Sequence, residues 1–116
     1  MKVLQTDQAP AAIGPYSQAI MTDSLIFLSG QIGIAPKTGA LAEGIEEQSE
    51  QAIKNIGEIL RSARLDYGSV VKTTCFLKDI GDFSVFNGIY ERYFTGKPAR
   101  SLIQAAALPK GALVEI

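Results

Sequence analysis

The stretch Val70-Val71-Lys72-Thr73-Thr74-Cys75-Phe76-Leu77 is a run of β-branched and apolar residues, and it predicts a strand over residues 69–78. Its apolar side chains fall on both alternating faces, with Val71, Cys75 and Leu77 on one face and Val70 and Phe76 on the other. A strand with one solvated face alternates more cleanly, because successive side chains point to opposite sides. The run therefore predicts a sheet that is covered on both faces.

Two helices are predicted, one on either side of this strand. Residues 45–63 carry apolar side chains at helical spacing, with glutamates in the first turns and arginines near the end, a distribution that suits the helix dipole. Asp82 can cap a second helix that runs to about Phe94, where Thr95-Gly96 ends it. The inner side of this second helix is apolar and mostly aromatic: Phe83, Phe86, Ile89, Tyr90, Tyr93 and Phe94.

The remaining strands complete an α+β pattern. They are predicted at residues 3–5, 17–21, 25–29, 99–106 and 112–116, and the second and third form a hairpin around Thr22-Asp23. The order is typical of one domain over residues 1–116, with both helices on one face of a mixed sheet. Two helices cannot cover both faces, so we expect the other face to pack against further copies of the chain in a closed homo-oligomer. Ligand sites are common at such boundaries.

The composition limits the chemistry. The chain has no histidine, which removes the commonest acid–base catalyst, and Cys75 is the only cysteine, so there is no intrachain disulfide and a transition-metal site is disfavoured. A net charge of −1 with scattered basic residues gives no reason to expect a nucleic-acid partner. The start of the chain does not resemble a signal peptide and no apolar run could span a bilayer, so we expect a cytoplasmic protein without a membrane partner.

Arg100 and Glu115 stand out because they lie in otherwise apolar predicted strands. A guanidinium cannot lose its proton, so a buried arginine needs an anion or several acceptors. Arg100 could pair with Glu115, or it could clamp a ligand carboxylate with two parallel hydrogen bonds. Glu115 is accordingly either the partner of Arg100, the solvent end of a terminal strand, or a carboxylate that orients or deprotonates water. The residues alone leave these alternatives open.

Three other positions are candidates with equally simple structural explanations. Tyr16 follows Gly14-Pro15 and could be a packing residue or the wall of a small pocket. Gly30 could mark a bulge, or its missing side chain could let a ligand reach a backbone N–H. Asn87 interrupts the apolar side of the second helix, where it could simply fix a loop. Cys75 is expected to be a small core residue.

Several short segments stand out together along the chain: residues 11–19 (AAIGPYSQA), 29–33 (SGQIG), 71–74 (VKTT), Asp82-Phe83 with Asn87, Tyr90-Glu91 with Phe94, 98–101 (PARS), 108–110 (LPK) and 114–116 (VEI). These segments, in this order, resemble the RidA/YjgF family of reactive-intermediate deaminases. The resemblance implies a chorismate-mutase-like fold and a homotrimer in which three sheets form a central barrel with ligand sites between subunits. It also implies hydrolysis of 2-imino and 2-aminoacrylate-type acids to 2-keto acids and ammonia, without metal or cofactor.

The resemblance also assigns roles by position. Arg100 would bind the substrate carboxylate and Glu115 would hold the attacking water. Asn87 would support the site, and Leu102 stands where many relatives have cysteine, so we expect it to contribute mainly backbone groups. The pocket would be lined by Tyr16, Ser29 and the backbone of Gly30. Two other functions are weighed against this one: a non-catalytic binder of 2-keto acids, and a ribonuclease or translation inhibitor, which the lack of histidine and of a basic stripe disfavours.

Overall fold

The computed structural model describes residues 1–116, and its first three strands form an antiparallel ladder. The strands are β1 (Lys2–Leu4), β2 (Ala19–Met21) and β3 (Ile26–Leu28), paired in that order. The turn between β2 and β3 is closed where the Thr22 N–H donates to the Leu25 carbonyl at 2.8 Å. The predicted hairpin is therefore confirmed, although both of its strands are shorter than predicted.

The second ladder mixes parallel and antiparallel pairs. It consists of β4 (Lys72–Leu77), β5 (Ala99–Gln104) and β6 (Val114–Glu115), in the order β5-β4-β6. β5 runs parallel to β4, and the helix α2 (Phe83–Tyr93) makes the crossover between them that parallel strands require. β6 pairs with β4 antiparallel.

The first helix, α1 (Gly44–Ser62), and α2 pack on the same side of the strands. α1 contributes Ile53 to the core over the second ladder and Ile59 to the core under the first, so this one helix spans both. The larger core joins both helices to β4 and β6 and consists of Ile53, Cys75, Leu77, Phe86, Ile89, Tyr90, Phe94 and Val114. The α+β class, the two helices and the burial of Cys75 are thus confirmed.

The two ladders meet where Gln31 and Ile116 exchange backbone hydrogen bonds of 2.8 and 3.0 Å. The loop that follows is held against α1, because the side-chain amide of Asn55 donates to the carbonyls of Ile32 and Ile34 at 3.2 and 2.9 Å. A Cβ at Gly33 would lie 2.6 Å from the Gln48 backbone, so only glycine allows this close approach. The arrangement brings the end of β3 beside the end of β6.

Two local predictions are wrong. Val71 was predicted to lie in the strand on the same covered face as Cys75 and Leu77, but it is 70% exposed, because a 3-10 turn at Tyr67–Ser69 delays the start of β4 to Lys72. Asp82 does precede α2, but its side chain makes no capping hydrogen bond. The capping aspartate is Asp79, which accepts the Gly81 N–H at 2.8 Å and starts the short 3-10 turn before α2.

The sheet face away from the helices carries exposed apolar side chains. Val3, Phe27 and Ile103 are all more than half exposed, and the strand registers place them on this face. The apolar second face predicted from the sequence is therefore present. What covers it stays a prediction. No helix of the chain is both long enough and apolar enough to cross a bilayer.

Candidate functional site

Arg100 lies on the helix-facing side of β5. It is directly opposite Thr73 of β4, and paired residues of adjacent strands point to the same face. Its Nη1 donates to the side-chain carbonyl of Asn87 at 2.7 Å, and its Cζ lies 4.9 Å from the ring centroid of Tyr90 and 5.6 Å from that of Phe83. These three contacts come from one face of α2, because positions 83, 87 and 90 are spaced at helical intervals.

The charge of Arg100 is not neutralised within the chain. The ion pairs of the protein are Lys54–Glu50, Arg92–Glu50 and Arg61–Glu58, and all involve exposed cations on the helices. A guanidinium has several N–H donors, and only one of those of Arg100 is paired. The pairing of Arg100 with Glu115, which the sequence left open, does not form within one chain. Arg100 therefore keeps donors free for an anion.

Glu115 lies on the opposite side of the same ladder. It pairs with Phe76 in the β4–β6 register, and Phe76 alternates with the core-facing residues Cys75 and Leu77. Its carboxylate takes part in no hydrogen bond or ion pair of the chain, and burial raises the pKa of Glu115 above its ordinary value. An isolated, partly buried carboxyl of this kind is suited to accept a proton.

Gly30 makes room for that carboxyl. A Cβ at this position would lie 2.9 Å from the Glu115 Cδ, which is closer than real Cβ contacts allow. The Gly30 N–H has no backbone or side-chain acceptor in the chain. The neighbouring Ser29 is anchored instead, because its hydroxyl donates to the Ser17 carbonyl at 2.6 Å.

A depression of about 300 Å³ opens beside Glu115 and Gly30. The half-exposed ring of Tyr16 forms one wall, and Ile13 and Lys110 contribute to others. A second depression, of about 490 Å³, also borders Tyr16 and lies against the N-terminal segment, but its lining contains no cationic side chain and lacks Glu115. The smaller depression is therefore the better candidate for an acid-binding pocket.

The predicted site residues fall into two groups. The arginine half contains Arg100 and Asn87, and Leu102 shares its sheet face but packs partly buried against the core. The glutamate half contains Tyr16, Gly30 and Glu115, with Ser29 immediately before Gly30. The two halves lie on opposite faces of the β5-β4-β6 ladder, so one small molecule cannot touch both within a single chain.

Sequence reasoning missed two contacts of the arginine half. Phe83 and Tyr90 were interpreted only as packing residues of α2, yet both rings lie against the Arg100 guanidinium. Their spacing around Asn87 was the available signal, since side chains at positions 83, 87 and 90 share one face of a helix.

Comparisons with known proteins extend over nearly the whole chain. The family model described as endoribonuclease L-PSP matches residues 6–116. The 2-iminobutanoate/2-iminopropanoate deaminase of Mus musculus is 53% identical over 99% of this chain and 87% of its own, and that of Salmonella typhimurium is 45% identical over 99% and 93%. The crystal structure of Escherichia coli TdcF with bound serine superposes with a TM-score of 0.95 at 36% identity, covering 99% of this chain and 94% of TdcF.

Proposed function

This chain belongs to the endoribonuclease L-PSP family, the RidA/YjgF family of deaminases, and we therefore propose that it hydrolyses 2-iminobutanoate and 2-iminopropanoate to 2-keto acids and ammonia. A protonated imine is already electrophilic. Water adds to the imine carbon, the nitrogen departs as ammonia, and the carbonyl of the keto acid remains. The reaction needs the acid to be held, a water to be placed, and a proton to be accepted from that water and returned to the departing nitrogen.

The observation that carries the proposal is the unpaired cation at Arg100. Its guanidinium lies against an amide oxygen and two rings, and no carboxylate of the chain reaches it. A carboxylate ligand could take two parallel N–H donors in the bidentate geometry that arginine favours. Every 2-imino acid carries such a carboxylate, so Arg100 would bind the part of the substrate that does not react.

Glu115 would act on the water. Its pKa is raised by burial, which brings the carboxyl closer to the range in which it can accept a proton from water. General-base assistance of this kind is worth on the order of 10²–10⁴-fold in rate. The free Gly30 N–H and the Tyr16 hydroxyl would line the pocket around the reacting carbon. Ser29 would support it from just beyond β3, and Leu102 would contribute mainly backbone groups from within β5.

We further propose that each site is shared between two copies of the chain. The arginine half and the glutamate half lie on opposite sheet faces, whereas the carboxylate and the imine carbon of the substrate are directly bonded. A homotrimer with a chorismate-mutase-like sheet barrel would bring the halves of neighbouring subunits together and cover Val3, Phe27 and Ile103. The proposed chemistry requires no metal or cofactor, and we expect the protein to work in the cytoplasm on small acids rather than on nucleic acid or membranes.

The test is a coupled assay with a threonine dehydratase and threonine, in which 2-oxobutanoate release is followed with and without the protein. We expect faster release with the wild type and a loss of most of this acceleration in Arg100→Lys, because lysine keeps the charge but lacks the two parallel N–H donors of the guanidinium. Arg61→Lys is the matched control, since Arg61 forms only an exposed pair on α1. Near-normal acceleration in Arg100→Lys would refute the clamp.

The same assay separates the alternatives. Saturable binding of 2-oxobutanoate by the wild type without faster release would favour a non-catalytic binder. RNA cleavage that survives rigorous purification and disappears in Arg100→Ala would favour the ribonuclease.

A further inference from the structure

We propose that Phe83 and Tyr90 are positioning residues, which hold the Arg100 guanidinium in one orientation without neutralising it. This inference rests on the proposed function, because it assigns how the carboxylate clamp is prepared before the substrate arrives. It adds two aromatic residues of α2 to the site. Neither carries a charge, and in this arrangement neither needs to touch the substrate.

Tyr90 is itself rigidly held. Its ring is stacked on Phe94, with centroids 4.4 Å apart and an angle of 27° between the planes, and it is tilted against Phe86 at 5.5 Å. Its hydroxyl is 2.6 Å from the Thr73 Oγ1, and Thr73 is the residue directly opposite Arg100 in the β4–β5 register. The surface beneath the guanidinium is therefore fixed both to the core and to the strand beside Arg100.

Phe83 provides the second, outer surface. Its ring centroid is 5.6 Å from the Arg100 Cζ, and its side chain is 41% exposed, so it borders solvent rather than the core. Asn87 lies between the two aromatic residues on α2 and accepts one N–H. The rings of Phe83 and Tyr90 and the amide oxygen of Asn87 together restrict the orientation of the guanidinium.

Aromatic rings suit this task better than a carboxylate would. A protein carboxylate would occupy the same donors that a ligand carboxylate needs, and the ligand would have to displace it. A ring attracts the cation through its π-electron face and accepts none of the strong hydrogen bonds from the guanidinium edge. The rings can therefore orient Arg100 while its remaining donors stay available.

The experiment measures two quantities, the NMR signal of the Arg100 side chain and the affinity of the protein for 2-oxobutanoate. The chain has four arginines, so its Nε–Hε NMR spectrum is simple, and the signal of Arg100 is the one missing from Arg100→Lys. Phe83→Leu should move this signal towards that of the exposed Arg64, because a ring current is lost, and should weaken 2-oxobutanoate binding about fivefold. Phe83→Tyr, which keeps the ring, should restore both.

Val85→Ala is the matched control, since Val85 is also 41% exposed on α2 but does not share the helix face of positions 83, 87 and 90. The inference is overturned if Phe83→Leu leaves the Arg100 signal and the affinity unchanged. It is equally overturned if the affinity falls while the signal stays in place, because Phe83 would then act directly on the ligand. If the wild type does not bind 2-oxobutanoate, the proposed function is refuted instead. The positioning role is then decided by the Arg100 signal alone: a shift in Phe83→Leu supports it, and an unchanged signal overturns it.

Discussion

Complementation between two inactive variants tests whether the site is shared between subunits. Arg100→Ala removes the arginine half and leaves the glutamate half intact, whereas Glu115→Gln does the reverse. Because every proposed site needs both side chains, each variant alone should be inactive. The two residues lie on opposite faces of one ladder, so they would belong to different sites of the oligomer. A mixed oligomer should nevertheless contain complete sites, in which Arg100 comes from one subunit and Glu115 from its neighbour.

The recovered activity follows from the geometry of a closed ring. In an equimolar random mixture, half of the subunits keep Arg100 and half keep Glu115, so about a quarter of the boundaries carry both. This fraction is the same for a dimer, a trimer or a larger ring. A second mixture, of wild type with the double variant, should also retain about a quarter of the wild-type activity if sites are shared, but about half if each chain carries its own site.

The assay is the dehydratase-coupled release of 2-oxobutanoate after the two proteins are unfolded together and refolded, with each variant refolded alone as the control. Size-exclusion chromatography would confirm that the mixtures assemble like the wild type. No activity above that of the separate variants, combined with half activity in the second mixture, would show that one chain completes the site and that the site is not shared between subunits.

Three further outcomes are expected. Glu115→Gln should raise the melting temperature at about pH 8 and leave it unchanged below the ordinary carboxyl pKa of 4.5. Burial raises the pKa of Glu115 in the folded state, so the wild type loses stability as the pH rises and the carboxyl becomes charged, whereas glutamine stays neutral. An equal change of melting temperature at both pH values would contradict this. Gly30→Ala should slow imine hydrolysis more than it weakens 2-oxobutanoate binding, because its Cβ would displace the Glu115 carboxyl from 2.9 Å away; matching losses in the two measurements would count against it. Gly57→Ala should destabilise the fold by about 1–3 kcal/mol in denaturant melts, because its Cβ would lie 2.8 Å from Tyr67 Cζ and even closer to the hydroxyl oxygen. Gly88→Ala is the control: a Cβ there would meet no other atom, so alanine should stabilise α2 by up to about 1 kcal/mol.

Local patterns predicted the elements well where burial and propensity agree. α1 was found from its apolar spacing and its charged ends, and it begins and ends within one residue of the prediction. The hairpin of β2 and β3 was found from its turn. Errors occurred where a short-range hydrogen bond competed with the pattern: the 3-10 turn at Tyr67–Ser69 shortened β4 and left Val71 exposed, and the Asp79 cap replaced the one predicted at Asp82.

The candidates for binding and catalysis follow from the amino-acid sequence. Without histidine and with a single cysteine, the chain has an arginine and a glutamate in apolar strands as its candidates. The sheet faces on which they lie follow from the folded chain, in which Arg100 shares a face with Thr73 and Glu115 shares the other with Phe76. The reason is that strand register arises from contacts between residues far apart in the chain, and a shift of one residue moves a side chain to the other face.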